Sequence, residues 1–439
     1  MADIIIDFND VIGEIKPMHA LNNGPLKKRS DQTRHNFNSY KAAGIPYART
    51  HDSSFCAEYG GEHTVDIHMI FPDFEADPYS PGSYDFTLTD EYLLGILAAG
   101  TEVFYRLGSK IEHAQKKYGT LPPKGFMKWA VICEHVIRHF NEKWANGFHM
   151  GIKYFEIWNE PDLDPDDAAN KRTWGGTKDQ FFDFYEIVAK HLKKCFPNLK
   201  IGGPASAGNM EWAEDFLREM SKREVPIDFF SWHIYTADPC LIPSRAAQYR
   251  YLMNKYGYGN AESILDEWNY IKGWSNEFIY SVKAITGMKG AAFSADVMSR
   301  CQYADVDMLM YYDARPSVFN GLFDYYTMEP LKGYYPFAMF SKLYKLKNQV
   351  KCINNDNRIA VVAASDCKGK GALMITFYTD NDDAKEEIDV NILLKGIHPS
   401  SVSLTLLDQD NDAVRKRSAV SNNLKICMKP NSVVMASLW

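Results

Sequence analysis

No two cysteines in this 439-residue sequence are spaced as C-x-x-C; all eight stand singly, at Cys56, Cys133, Cys195, Cys240, Cys301, Cys352, Cys367 and Cys427. That argues against a structural zinc site and a disulfide framework, and predicts free thiols in a reducing compartment. Uninterrupted apolar runs of 18 residues are missing too, which removes a transmembrane helix and a membrane partner. The opening MADIIIDFND has acids on both sides of its three Ile and lacks the basic start of a secretory leader. The expected location is therefore cytoplasmic, or secreted if a leader has been removed. Positive charge is not in excess: Lys plus Arg is 49 against 56 for Asp plus Glu, which argues against a nucleic-acid partner. There is no convincing HExxH, P-loop or GxSxG elbow and no GxGxxG turn, so no metal or organic cofactor is called for. What is abundant is aromatic: 25 Phe, 26 Tyr and 9 Trp make 14% of the chain, more than packing alone usually requires. With 46% hydrophobic and 24% charged residues, a large core is available and general disorder is excluded.

Short strand-like runs alternate with helical patterns from about residue 15 to 346. The strand candidates are EIKPMHA (14–20), IPYART (45–50), TEVFYRL (101–107), IKYFEIW (152–158), LKIGGP (199–204), IDFFSWHI (227–234), SILDEW (263–268) and DVDMLMYY (305–312). Between them, apolar residues recur at three and four over 28–43, 122–144, 178–195, 210–222, 244–256 and 278–300. A parallel connection needs a crossover, so eight such units imply an α/β fold, a (β/α)8 TIM barrel. Beyond about 350 the runs are β-rich and separated by NNDN, DNDD and DQDND turns. These read as an accessory antiparallel β-sandwich, with ADIIIDF supplying a strand. The expected division is a barrel over 12–348 and a sandwich from 1–11 plus 349–439.

A barrel of this kind carries its site at the C-terminal ends of its strands. The fourth strand ends IWNEP, presenting Asn159 and Glu160, and the seventh ends LDEW, presenting Asp266, Glu267 and Trp268. Two carboxylates on one rim suit glycoside hydrolysis, where one gives a proton and the other attacks. Arg49 and His51 end the second strand, His233 and Tyr235 the sixth, and His19 the first. Asp313 and Arg315 lie just past the eighth. Trp174, Trp268 and Trp274 fall where a sugar-stacking wall belongs, whereas Trp129 and Trp144 sit at helical spacing and read as core. DPDD at 164–167 lacks the spacing of a calcium loop and reads as solvated surface.

FEIWNEPDL (155–163) and LDEWN (265–269) resemble the motifs of clan A glycoside hydrolases. The IWNEP wording, DFFSWHIYT (228–236) and the β-rich tail resemble family 39, which includes β-xylosidases and α-L-iduronidases. The resemblance implies a retaining glycosidase with Glu160 as acid/base, Glu267 as nucleophile and Asn159 on the sugar 2-hydroxyl. It implies a substrate or acid/base contact for His233 and a Tyr235 hydroxyl donated to the nucleophile. His19 resembles a sugar-binding position. The expected partner is an oligosaccharide or glycoside of plant type, most simply a β-D-xyloside, with self-association through rim surfaces open. An α-L-arabinosidase, an iduronidase-like or a disaccharide-releasing enzyme keeps the same chemistry, and a uronic acid substrate would draw on Lys272 or Arg315. A carbohydrate-binding pseudoenzyme is the reading of another class.

Overall fold

The computed structural model describes residues 2–27, 34–51, 64–315 and 317–439. Cys56 and the first residues of the 28–43 helical pattern lie outside the described residues. The other seven cysteines are free thiols.

The chain opens with β1 (Ala2–Glu14) and then builds eight short strands: β2 (Ala20–Asn22), β3 (Tyr47–Thr50), β4 (Glu102–Leu107), β5 (Tyr154–Ile157), β6 (Lys200–Ser206), β7 (Phe229–Thr236), β8 (Glu262–Tyr270) and β9 (Met308–Tyr311). These pair in parallel in sequence order, and β9 returns to β2 to close the barrel. Each gap holds helix: α1 (Phe37–Ala43), α2 (Ile67–Ile70) and α3 (Thr87–Ala98), α4 (Phe126–Glu142), α5 (Lys178–Cys195), α6 (Met210–Lys222), α7 (Leu241–Lys255), α8 (Phe278–Ile285) and α9 (Met288–Cys301), and after β9, α10 (Tyr334–Leu346). The single pattern over 278–300 is thus two helices, interrupted at Thr286 and Gly287. Local chemistry sets several starts: Thr177 and Gln180 cap each other's backbone at the head of α5, and Asn209 accepts from Trp212 N–H at the head of α6.

The first barrel strand differs from expectation. EIKPMHA is mostly a connection, because Pro17 has no N–H to give a ladder and Lys16 instead ties its ammonium to the carbonyls of Ala304 and Val306. The strand starts at Ala20, so His19 precedes it.

Side chains inside the barrel are layered by the period-2 alternation of strands. Ala20, Phe104, Tyr154, Phe229, Ile264, Met308 and Met310 form a buried apolar floor. Above it the same strands present Asn22, Arg49, Arg106, Glu156, Ser231 and Asp266, all fully buried. This polar layer carries the residues that form the site above it.

From residue 348 the chain is strand and turn: β10 (Asn348–Asn354), β11 (Ile359–Ser365), β12 (Gly371–Phe377), β13 (Ile388–Lys395), β14 (Val402–Leu407), β15 (Val414–Ser418), β16 (Asn423–Met428) and β17 (Ser432–Leu438). With β1 they bond in the order β15-β14-β17-β12-β11-β10-β1-β13-β16. Pairing is antiparallel except between β1 and β13, where the N-terminal strand runs parallel to its neighbour. One set of alternating side chains, Ile4, Ile6, Leu373, Ile375, Ile392 and Val434 among them, forms the sheet's own core. The opposite set on β11, β12 and β17, including Val362, Met374 and Met435, joins the barrel's core, chiefly against α9 and α10. Polar ties seal the junction: Lys272 and Tyr270 both bind Asp380, and Lys289 reaches Asp382.

Candidate active site

Arg49 organises the site. It is wholly buried on β3, and its guanidinium donates Nε to Glu156 at 2.7 Å, Nη1 to Asn22 at 3.1 Å and to Glu267 at 2.8 Å, and Nη2 to Asn159 at 2.7 Å. Asp266 lies 3.2 Å from the same Nε. Burial opposes the charge on this guanidinium, but Glu156, Asp266 and Glu267 more than offset it and raise its pKa. Removing Arg49, the cation shared by the whole cluster, would cost about 3–5 kcal/mol, since buried acids would be left uncompensated.

The carboxylates around it divide. Burial pushes the Glu156 carboxyl well above its usual range, with Arg49 only partly offsetting it and Asp266 adding to it. Asp266 is pushed up by burial as well, yet Arg49 and then His233 hold it down at about 2. Burial thus favours the proton on Glu156, while Arg49 and His233 favour the charge on Asp266.

Glu267 sits on β8 directly after Asp266, and a register shift against β7 between Trp232 and His233 turns both acids inward. Its Oε1 lies 2.8 Å from Arg49 and 3.1 Å from His51 Nε2, and its Oε2 accepts the Tyr235 hydroxyl at 2.8 Å. Burial would raise its pKa; His233, His51 and Arg49 together outweigh that and lower it. Burial and the facing Glu267 keep the Tyr235 hydroxyl protonated, hence a donor.

Glu160 follows β5 in a backbone that departs from the strand. Trp158 has φ 76° and Glu160 φ 50°, left-handed conformations that cost a non-glycine residue of order 1–3 kcal/mol and persist where surroundings enforce them. Here Trp158 Nε1 is anchored on the Thr173 carbonyl, Glu160 N–H on the Ala205 carbonyl, and the Glu160 carbonyl by the Thr173 hydroxyl. The Glu160 carboxyl lies 2.8 Å from His233 Nδ1. Burial lowers the His233 pKa, but Glu267 and Asp266 overcome it and raise it well above the ordinary value.

These groups open into a cavity of about 870 Å³ bordered by His51, Glu160, His233, Tyr235, Glu267 and Trp274. Trp274, 60% exposed, meets Tyr235 edge-on at 5.2 Å, and Phe319 and Tyr312 extend that aromatic wall. Arg315 also lines the cavity, whereas Asp313 is buried behind it.

Three expected site residues lie elsewhere. Trp268 is fully buried against Phe293 and Tyr311, because the residue after an inward-facing Glu267 points out to the helical shell. Trp174 packs among Trp158, Phe181 and Phe184, its indole N–H on the Thr177 carbonyl. His19 packs against Phe340 at a tilt and meets Tyr344 edge-on, and burial there lowers its pKa to about 3. Lys272 is likewise committed to Asp380 and absent from the cavity lining. Within DPDD, Asp164 holds Arg172 by both ends of its guanidinium, so this acid shapes the loop.

Sequence reasoning missed Glu156 and Asp162. The latter accepts from the Ser206 hydroxyl and the N–H groups of Ala207 and Asn209, pinning the loop after β5 to the loop after β6. Among the described residues, one ligand atom each from Glu160, His233 and Glu267 falls within 4.8 Å of the others, as do a carboxylate oxygen of Glu134, a ring nitrogen of His191 and the Sγ of Cys195 on α4 and α5. In the first set, hydrogen bonds from Arg49, Tyr235 and His233 already hold the carboxylates.

A closed parallel barrel with two carboxylates converging on an aromatic-walled cavity at its C-terminal rim has the layout of the barrel glycoside hydrolases. The family model for glycosyl hydrolases family 39 matches residues 51–417, and the chain belongs to that family. A β-xylosidase of Geobacillus stearothermophilus is 32% identical over 178 residues, 38% of this chain and 34% of that protein. A β-xylosidase of Caldicellulosiruptor saccharolyticus is 31% identical over 142 residues, 32% of this chain and 26% of that protein. The matches therefore span about a third of the length of these relatives. Among solved structures, a glucosidase from Croceicoccus marinus superposes with a TM-score of 0.81 at 20% identity, covering 100% of this chain and 98% of that one. A monomeric β-xylosidase from Caulobacter crescentus gives 0.72 at 16% identity, with 99% of each chain covered. These last two likenesses are of fold.

Proposed function

We propose that the chain is a retaining exo-glycosidase that removes a terminal sugar, β-D-xylose, from small plant-type oligosaccharides. The observation that carries this reading is the approach of the two carboxylates, with an oxygen of Glu160 and one of Glu267 within 4.8 Å. Retaining enzymes hold their pair about 5–5.5 Å apart, and inverting ones about 6.5–9.5 Å to admit a water. The β-xylosidase relatives support the choice of sugar.

In this reading Glu267, kept ionised by His233, His51 and Arg49, attacks the anomeric carbon while Glu160 gives its proton to the leaving oxygen. The bond from C1 to the leaving oxygen breaks as the bond from C1 to Glu267 forms. Glu160, now a carboxylate, takes a proton from water, whose oxygen attacks C1 and frees Glu267. Asn159 gives its oxygen to Arg49 and keeps a buried Nδ2 without a partner among the described residues, a donor suited to the sugar 2-hydroxyl. Trp274 offers a face for the sugar ring. The barrel, assigned to 12–348, carries the chemistry, and the sheet from 1–11 plus 349–439 braces α9 and α10.

A panel of nitrophenyl glycosides tests the reading. Release from the β-xyloside above all others supports it, release from an α-L-arabinoside or a disaccharide moves the substrate, and no release from any makes the protein a binder. Tyr235→Phe tests the electrostatics. Losing a hydrogen bond to the ionised form raises the Glu267 pKa, so the acidic limb of kcat/KM should move up by about one pH unit. An unmoved limb means the hydroxyl does not support the nucleophile's charge.

A further inference from the structure

The cavity has two walls of different chemistry. Tyr235, Trp274, Tyr312 and Phe319 arise from β7 and the segments after β8 and β9, on the Glu267 side. Lys110 follows β4, Arg172 follows β5, and Arg245 on α7 reaches back to the Gly208 carbonyl just after β6, so these three basic residues gather at β5, which leads to Glu160, and at its two neighbours. The remaining cavity arginine, Arg315 after β9, stands on the aromatic side and lies 3.8 Å from Asp313. The two loops of that second wall are knitted together, Glu112 N–H to the Arg172 carbonyl and Asn170 to the His113 carbonyl. Arg172 is neutralised by Asp164. Lys110 and Arg245 have no carboxylate partner among the described residues: Arg245 donates Nη1 to the Gly208 carbonyl, and the Lys110 backbone, not its ammonium, binds Asp66.

We propose that the leaving-group side of this cavity takes a sugar residue bearing an anionic group, a uronate carboxylate or a sulfate ester, held by Lys110 and Arg245. The inference rests on the glycosidase reading above, because a general acid stands beside the leaving oxygen and so fixes which wall faces the departing sugar. Opposite it, the aromatic wall faces the sugar that becomes attached to Glu267. A neutral leaving sugar would leave two cations without counter-charge at the mouth. An oxyanion gives them charge-assisted hydrogen bonds.

The test compares kcat/KM for xylobiose with that for two β-xylosyl disaccharides, one with a uronic acid and one with a sulfated xylose at the reducing end. At low ionic strength at least one anionic substrate should be favoured roughly tenfold, the scale of one charge-assisted contact; the better of the two arms identifies the anion. Raising salt to about 0.5 M should shrink the preference through screening. In Lys110→Ala/Arg245→Ala the ratio of anionic to neutral kcat/KM should fall toward one, and Lys110→Arg/Arg245→Lys should keep it. Equal rates on all three substrates, or a ratio that survives the alanine variant, overturns the proposal while the xyloside panel still stands. If no glycoside is cleaved, the glycosidase reading fails instead. Titration calorimetry then decides: wild type preferring free glucuronate or sulfated xylose to xylose upholds the basic wall as an anion site, and no preference overturns it.

Discussion

Glu267→Gly should lower kcat on an aryl β-xyloside by on the order of 10⁴-fold or more, the scale of losing a covalent nucleophile. Azide, small enough for the vacated space, should restore turnover by forming a C1–N bond from the side the carboxylate occupied. The product is then the glycosyl azide of inverted configuration, identifiable by NMR. Arg49 keeps Asp266 as a counter-charge and its hydrogen bond to Glu156 in this variant, so the barrel should remain folded, which a urea midpoint near wild type would verify. Undiminished kcat, or an azide product of retained configuration, would assign the nucleophile elsewhere.

Removing the proposed proton donor should have an effect that depends on the substrate. In Glu160→Ala, hydrolysis of xylobiose should fall by about 10²–10⁴, the usual contribution of a general acid. A dinitrophenyl xyloside, whose leaving group departs without a proton, should keep its first step. Its kcat should still drop, because the second step loses its base, and KM should drop with it as the glycosyl-enzyme accumulates. The decisive measurement is kcat/KM against leaving-group pKa: a slope much steeper than wild type is expected, and an equal loss on every substrate would remove Glu160 from the acid role.

How far the molecule can be read from its sequence depends on which geometric rule a residue obeys. The alternation of strand and helix implies the barrel, and the rule that chemistry sits at strand ends gathers Arg49, His51, Asn159, Glu160, His233, Tyr235 and Glu267, which do share one cluster. Trp268 shows where that rule is too coarse, since nearness in sequence to Glu267 means the opposite face of a strand. Trp174 fails for a related reason: its loop turns it into the shell, and nothing periodic signals that. Glu156 was legible in principle. An acid between Phe155 and Ile157 in a parallel strand, buried on both faces, has to be paired or protonated. Lys110 and Arg245 could not be anticipated, because only the folded chain brings a loop after β4 and the helix α7 to one cavity.

The N-terminal strand has a consequence for how the protein is made. β1 lies inside the nine-stranded sheet between β10 and β13, so its partners are synthesised some 340 residues later. At about 5–20 residues per second, the strand waits on the order of 20–70 s on the ribosome before it can pair. During that time Ile4, Ile5 and Ile6 form an adhesive stretch with no ladder to join. Asp3, Asp7 and Asp10 surround them, and charges in those places discourage strand-to-strand capture between neighbouring nascent chains. The acids beside the opening isoleucines thus act as gatekeepers against aggregation, needed most before the fold exists.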